Sequence, residues 1–376
     1  MPEKPTLLLI GPTPPPHHGV AMAMQLLLNS RLRERFRVVH LDLSDRRGIQ
    51  HVDRPDAHDV RLFLSQWIKL IVILLRKWPG VAYLAMSQSA VGFIRDSLFI
   101  WPAALFGSRV VLHLHGGNFR AWYEATNVGM QAYVRSVLKR VAQVIVLGES
   151  LKGIFDGLVN REKIAVVPNG IEWSEDALSP ASSPISPKRG YRVLHLGTLN
   201  HLKGTLVLTA AIPMVVKVRQ NVEFVVAGPW SHAADREEAE TLISRLGVGR
   251  YVTFTGPVEG EGKRALFESA DLFVFPGVQQ EGQPLVVLEA MAAGLPVLFT
   301  DRGCLKDTVV DGDNGFEIRR NDPRHLSEQI VWLLDRPRAM KRMGVRSRTR
   351  FAALYTGDRF VQRMSEVLGR VVGEAV

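Results

Sequence analysis

Short apolar runs alternate with amphipathic stretches along nearly the whole chain. Apolar segments of four to seven residues at 6–10, 38–43, 81–85, 109–115, 143–147 and 164–167 read as buried strands. Between them, helical patterns cover 20–29, 61–76, 93–106 with a kink near Pro102, most of 119–139, and a short piece at 151–158. The pattern resumes with strands at 192–196, 223–227, 252–254, 272–275, 296–299 and 315–318. Helices are expected at 204–218, 233–246, 263–269, 285–293 and 325–334, then on to a last helix at 358–372. Strands that alternate with helices make βαβ units and parallel sheets with helices on both faces. Residues 174–189 break the texture: three prolines, several serines and no apolar period mark a linker between two α/β domains.

One stretch carries its own punctuation. The run 272–275 stops at Pro276-Gly277, and a polar loop follows that holds Glu281. Pro284 is expected as the first helical residue, Leu285 to Ala293 are good helix formers, and Gly294 takes the left-handed position after the helix. The first-turn amides near Gln283 to Val286 have no intrahelical acceptor and form an anion-ready helix start. Glu281 upstream and Glu289 further in are placed to hydrogen-bond sugar hydroxyls beside a bound phosphate. An ordinary capped helix of a parallel α/β domain has the same composition, so this stretch alone leaves both readings open.

Composition narrows the classes. A chain of 376 residues with 46% hydrophobic residues suits two domains. The single cysteine, Cys304, excludes an internal disulfide framework. The apolar run 7–10 is too short for a leader or a membrane span, which points to a cytoplasmic protein. A net charge of +10 admits phosphorylated substrates, anionic lipid or nucleic acid as partners, but no nucleic-acid recognition signature accompanies it. Residues 62–75 are strongly apolar, include Trp67 and are flanked by Arg61, Arg76 and Lys77. They read as a core helix of the first domain; the alternative is an interfacial helix of peripheral membrane contact.

Ligands of open α/β sheets bind beyond the carboxyl ends of strands. The strand exits hold residues 11–19, 115–118, 169–172, 197–204, 228–230 and 277–285. Taken in order these loops resemble the retaining glycosyltransferases of family 4, the glycosyl transferases group 1. Glu281-x7-Glu289 with Ala290-Met291-Ala292-Ala293-Gly294 resembles their E-x7-E signature. Gly19-Val20, His115-Gly116, Val167-Pro168-Asn169-Gly170, the Gly-x5-Lys-Gly loop from Gly197 to Gly204, Gly228-Pro229 and Phe275-Pro276 match further family segments.

The resemblance implies the GT-B fold, two facing Rossmann-like domains. Residues 1–173 would form the acceptor-side domain, 174–190 the linker, 191–356 the nucleotide-sugar domain, and 357–376 a C-terminal helix returning to the first domain. It implies transfer of a sugar, with retention, from a nucleotide diphosphate-sugar to an acceptor hydroxyl, in cell-surface polysaccharide or glycolipid synthesis; the basic, apolar first half of the chain suggests a glycan or lipid-linked acceptor at the inner face of the membrane. Glu281 would hold sugar hydroxyls rather than act as a nucleophile. Lys203 and the amides near Gly282, Gln283, Pro284 and Leu285 would bear the leaving diphosphate, and Glu289 the nucleotide ribose. Gly19 and His115 would approach phosphate and sugar. Neither a metal nor another cofactor is implied.

The chain departs from the family at Thr198, where an arginine is usual, at Gln283, where an aromatic is common, and at Glu172, which replaces an aspartate. His113 is expected on the strand face opposite His115, which leaves no two-histidine metal site. Asp311-x-Asp313 lies in Asp-Gly-Asp-Asn-Gly and reads as a turn. An epimerase of the same fold and a non-catalytic binding homologue remain the rival readings. A dinucleotide dehydrogenase is disfavoured, because residues 11–19 lack G-x-G-x-x-G spacing.

Overall fold

The computed structural model describes residues 4–15, 18–44, 57–173 and 190–373. The expected linker at 174–189 lies outside the described residues. The chain divides into two compact units: Met1–Gly170 with Gly357–Val376, and Ile171–Thr356.

The first unit runs β1 (Thr6–Gly11), α1 (Gly19–Asn29), α2 (Leu32–Arg35), β2 (Arg37–Asp42), α3 (Ala57–Lys77), β3 (Val81–Met86), α4 (Ala90–Leu105), β4 (Arg109–Leu114), α5 (Phe119–Ala125), α6 (Val128–Leu138), β5 (Val141–Val146) and β6 (Ile164–Val166). The second runs β7 (Tyr191–Leu196), α7 (Thr205–Val218), β8 (Val222–Ala227), α8 (Ala233–Arg245), β9 (Val252–Gly256), α9 (Gly260–Ser269), β10 (Leu272–Phe275), α10 (Leu285–Ala292), β11 (Val297–Phe299), α11 (Leu305–Thr308), β12 (Gly315–Glu317), α12 (Pro323–Leu334) and α13 (Pro337–Leu354). The last helix, α14 (Gly357–Val372), belongs to the first unit.

Each unit holds a six-stranded parallel sheet, with orders β2-β1-β3-β4-β5-β6 and β12-β11-β10-β7-β8-β9. Strand periodicity sorts the core into two faces. In the second unit Val193, Leu272, Val274 and Leu298 pack with Leu208, Ile212 and Leu326 from α7 and α12. Their chain neighbours Leu194, Phe273, Phe275 and Val297 pack with Leu288 and Met291 of α10 on the other side. In the first unit Leu7, Leu9, Val81, Tyr83 and Val111 pack with Met24 and Leu27 of α1 and with Phe360, Met364 and Leu368 of α14.

Some local expectations change. The helix expected over most of 119–139 is two helices: Asn127 caps α6 by accepting from the Met130 amide at 2.9 Å. The piece at 151–158 is a 3₁₀ segment, Glu149–Phe155. Pro284 is the N-cap of α10 rather than its first residue, because its ψ of 123° is extended. The core-helix reading of 62–75 holds for one side of α3 only: Gln66, Leu70 and Leu74 are buried, while Leu64, Ile68, Val72 and Leu75 are exposed. Asp311 accepts from the Glu317 amide at 2.8 Å and closes the turn before β12.

Candidate functional site

Strand order reverses in the second unit between β7 and β10, and ligands of doubly wound sheets collect at that switch point. Two loops leave there. After β7, the Asn200 side chain accepts from the Lys203 amide at 2.8 Å and fixes the turn into α7. Gly204 completes that turn at φ 83°, and a Cβ there would stand 2.1 Å from the Pro276 carbonyl oxygen. Beneath it, His195 Nδ1 donates to the Val274 carbonyl at 3.0 Å, and Nε2 accepts from the Thr205 hydroxyl at 3.2 Å. This neutral ring ties β7, β10 and the start of α7 together. Burial holds its pKa down to about 4, and the charge of Lys203 adds to the fall.

The loop after β10 carries Glu281. Its Oε1 accepts from Lys203 Nζ and, at 2.8 Å, from Gln279 Nε2. Both partners of the ion pair are partly buried. The loop is braced from behind, since the Gly303 amide donates to Gln280 Oε1 at 3.1 Å. Gly303 has φ 61°, and a Cβ there would lie 1.9 Å from the Glu281 carbonyl oxygen. Gly282 is buried, and its carbonyl accepts from the Cys304 amide at 3.2 Å. Burial pushes the Cys304 thiol up to about 12, so it acts here as packing, not as a nucleophile.

Helix α10 begins at Leu285, with its first-turn amides in the same loop region as Glu281. The Gln283 side chain turns into the fold and donates to Thr308 Oγ1 at 2.9 Å, so only its backbone remains for a ligand. Glu289 accepts from Lys263 of α9 at 2.6 Å. Its other oxygen, Oε2, is buried with no hydrogen-bond partner. Burial raises the Glu289 pKa, and Lys263 opposes the rise. Thr198 is exposed in the loop after β7. The structure therefore gathers Lys203, Glu281, Gly282 and the start of α10, and sets Glu289 further along that helix.

The first unit holds a second group of polar side chains. Tyr83 Oη lies 2.8 Å from His113 Nδ1 and 3.5 Å from His115 Nε2. The two imidazole rings stack with centroids 3.9 Å apart. This corrects the expectation of opposite faces: residues i and i+2 of an extended chain point the same way. Burial lowers the His113 pKa well below its ordinary value, with His115 adding to the fall. Burial, then the nearby His18, takes His115 down to about 4, opposed by the Asn169 side chain. Among the described residues no group of three histidine, cysteine or acidic side chains is arranged to hold a metal. Gly19 opens α1, with open space where a Cβ would stand, and His18 caps that helix by accepting from the Ala21 amide at 3.4 Å.

Reading the chain alone missed Gln279, Lys263, Gly303, Tyr83 and His113 as parts of these arrangements. Only for His113 was there a usable signal, its spacing of two from His115.

Residues 190–336 match the family described as glycosyl transferases group 1. An uncharacterized glycosyltransferase of Methanocaldococcus jannaschii is 33% identical over 204 residues, 52% of this chain and 50% of that protein. A phosphatidyl-myo-inositol mannosyltransferase of Mycobacterium leprae is 32% identical over 170 residues, 45% of this chain and 43% of that protein. The chain thus spans about half the length, or less, of these curated relatives. Anabaena HepE, solved in complex with UDP and glucose, superposes with a TM-score of 0.72 at 16% identity, over 97% of this chain and 100% of that one. At that identity the likeness establishes the fold, which is GT-B.

Proposed function

We propose that this chain, whose residues 190–336 match the glycosyl transferases group 1, moves a sugar from a nucleotide diphosphate-sugar to an acceptor hydroxyl and retains the anomeric configuration. The observation that carries this reading is the Lys203–Glu281 pair, formed by two strand exits at the switch point beside the start of α10. The cation and the helix amides suit a diphosphate leaving group. As the diphosphate arrives, Lys203 is shared with phosphate oxygens, and Glu281 turns its oxygens to sugar hydroxyls. Glu289, with a buried oxygen still to be satisfied, takes the ribose. Because cation and amides carry the charge, the reaction as read uses no metal. Thr198 supplies no second cation, so the amides of α10 bear more of the diphosphate.

Transfer goes by a same-face path in which a diphosphate oxygen takes the acceptor proton. In this reading Glu281, held by Lys203 and Gln279 before the donor arrives, binds sugar hydroxyls and is not assigned as the nucleophile. In the first unit Gly19 is the candidate to approach a phosphate, and His115, neutral at physiological pH, the candidate to meet the transferred sugar. The acceptor class is a glycan or a lipid-linked sugar of cell-surface synthesis, at the inner face of the membrane. Among the described residues no helix is long and apolar enough to cross a membrane.

The test is product analysis. The chain is incubated with α-linked nucleotide-sugars, with and without an acceptor panel, and the products are followed by NMR. An α-linked product that forms only with acceptor is expected. A β-linked product would overturn retention, and an epimerised sugar formed without acceptor would overturn transfer.

A further inference from the structure

We propose that the outer face of α3 and α4 is a bilayer-docking surface that seats on anionic lipid. The inference goes beyond the transfer reaction and does not depend on it. Along α3, Val60, Leu64, Trp67, Ile68, Val72 and Leu75 recur at spacings of three and four and stand exposed, Ile68 at 59% and Leu75 at 55%. A second exposed row on α4 comprises Val91, Ile94, Leu98 and Leu105. The rows adjoin: the Trp67 indole donates to the Leu98 carbonyl at 3.1 Å, and Phe63 meets Phe99 edge to face. Ten large apolar side chains on two packed helices form a patch that a solvated surface does not ordinarily leave bare.

The chemistry around the patch selects its occupant. Arg61, Lys69, Arg76 and Lys77 of α3 and Arg95 of α4 are all exposed. On a helical wheel Lys69 and Arg76 follow the apolar row on one side, and Arg61 stands within it between Ile68 and Val72. Of the described side chains of α3 and α4 the one acid, Asp96, is fully buried and paired with Arg95. An apolar face with a cationic rim complements a leaflet that carries anionic headgroups. Trp67, its N–H already bonded, and the exposed Trp78 at the end of α3 are amphipathic rings of the interfacial kind. At 21 residues α3 is about 31 Å long, but its cations interrupt it, so it lies in the interface plane. A second copy fits the face less well, because a two-fold contact sets the same cations against one another.

The experiment is co-sedimentation of the full chain with phosphatidylcholine vesicles, with and without one-third phosphatidylglycerol. No donor or acceptor is present, so the outcome is separate from that of the transfer assay. The wild type is expected to pellet with the anionic vesicles and about tenfold more weakly with neutral ones. Leu64→Glu with Ile68→Glu should weaken binding at least tenfold with no change in unfolding midpoint, since both positions are exposed. If that variant does not fold, Val91→Glu with Leu98→Glu repeats the test on α4. Arg61→Gln with Lys69→Gln and Arg76→Gln should abolish the preference for anionic vesicles. No pelleting of the wild type, or equal pelleting of the glutamate variants, would overturn the proposal. So would a dimer in light scattering that the glutamate variants split.

Discussion

Replacing Lys203 by methionine or Glu281 by glutamine is expected to slow sugar transfer about 10²–10³-fold. Lys203 faces charge that grows on the diphosphate as the glycosidic bond breaks. Its loss therefore falls on kcat more than on KM. Glutamine at 281 keeps the volume and the reach to hydroxyls, but it removes the anion that Lys203 and Gln279 now hold in place. Because the two groups act on each other, the double variant should be far less impaired than the product of the single losses. Initial rates at saturating donor give the comparison. Rates within a few-fold of wild type in both single variants would remove these residues from the chemistry.

Stability is expected to fall steeply with mild acid. His115 and His195 each have a folded pKa near 4 because burial disfavours the imidazolium, and His113 shifts the same way. An unfolded histidine titrates near 6.5, so between these values the unfolded chain binds more protons. The folded pKa lies below the unfolded one. The stabilising contribution is therefore complete above about pH 6.5 and is lost as pH falls toward 4. For His115 and His195 the loss is on the order of 2 kcal/mol each by pH 5, a window in which most carboxylates stay ionised. Denaturant unfolding at several pH values reads this directly, and His195→Gln should flatten the slope for the second unit. A stability that stays level from neutral pH down to 5 would refute the neutral, buried state of these rings.

Much of the fold is written in local pattern, and much of the site is not. Phe273 and Val274 are both apolar because β10 is covered on two faces, and such a run announces a parallel-sheet strand. Pro276, Pro284 and Gly294 bracket α10 because each restricts or frees its own backbone; Gly294 does sit at φ 77°. The start of α10 moved by one residue, since proline fixes φ but leaves ψ to the loop. The pairing of Lys203 with Glu281 joins positions 78 apart, and that of Lys263 with Glu289 joins α9 to α10. No spacing rule carries such contacts, because the sheet order that creates them is set by packing of the whole unit. Gly303 was equally silent: its need for a bare Cα arises from the Glu281 carbonyl that packs on it. His113 differs, because strand alternation alone places it beside His115.

The claim on which the rest depends is that the second unit binds a nucleoside diphosphate through Lys203 and the start of α10. Calorimetric titration of the wild type and of Lys203→Met with UDP, GDP and ADP tests it without any acceptor. One of the three nucleotides is expected to bind the wild type at a single saturable site, and to bind the variant at least tenfold more weakly, the loss of one charge-assisted contact. Absence of binding by the wild type to all three, or equal affinity in the variant, would contradict it.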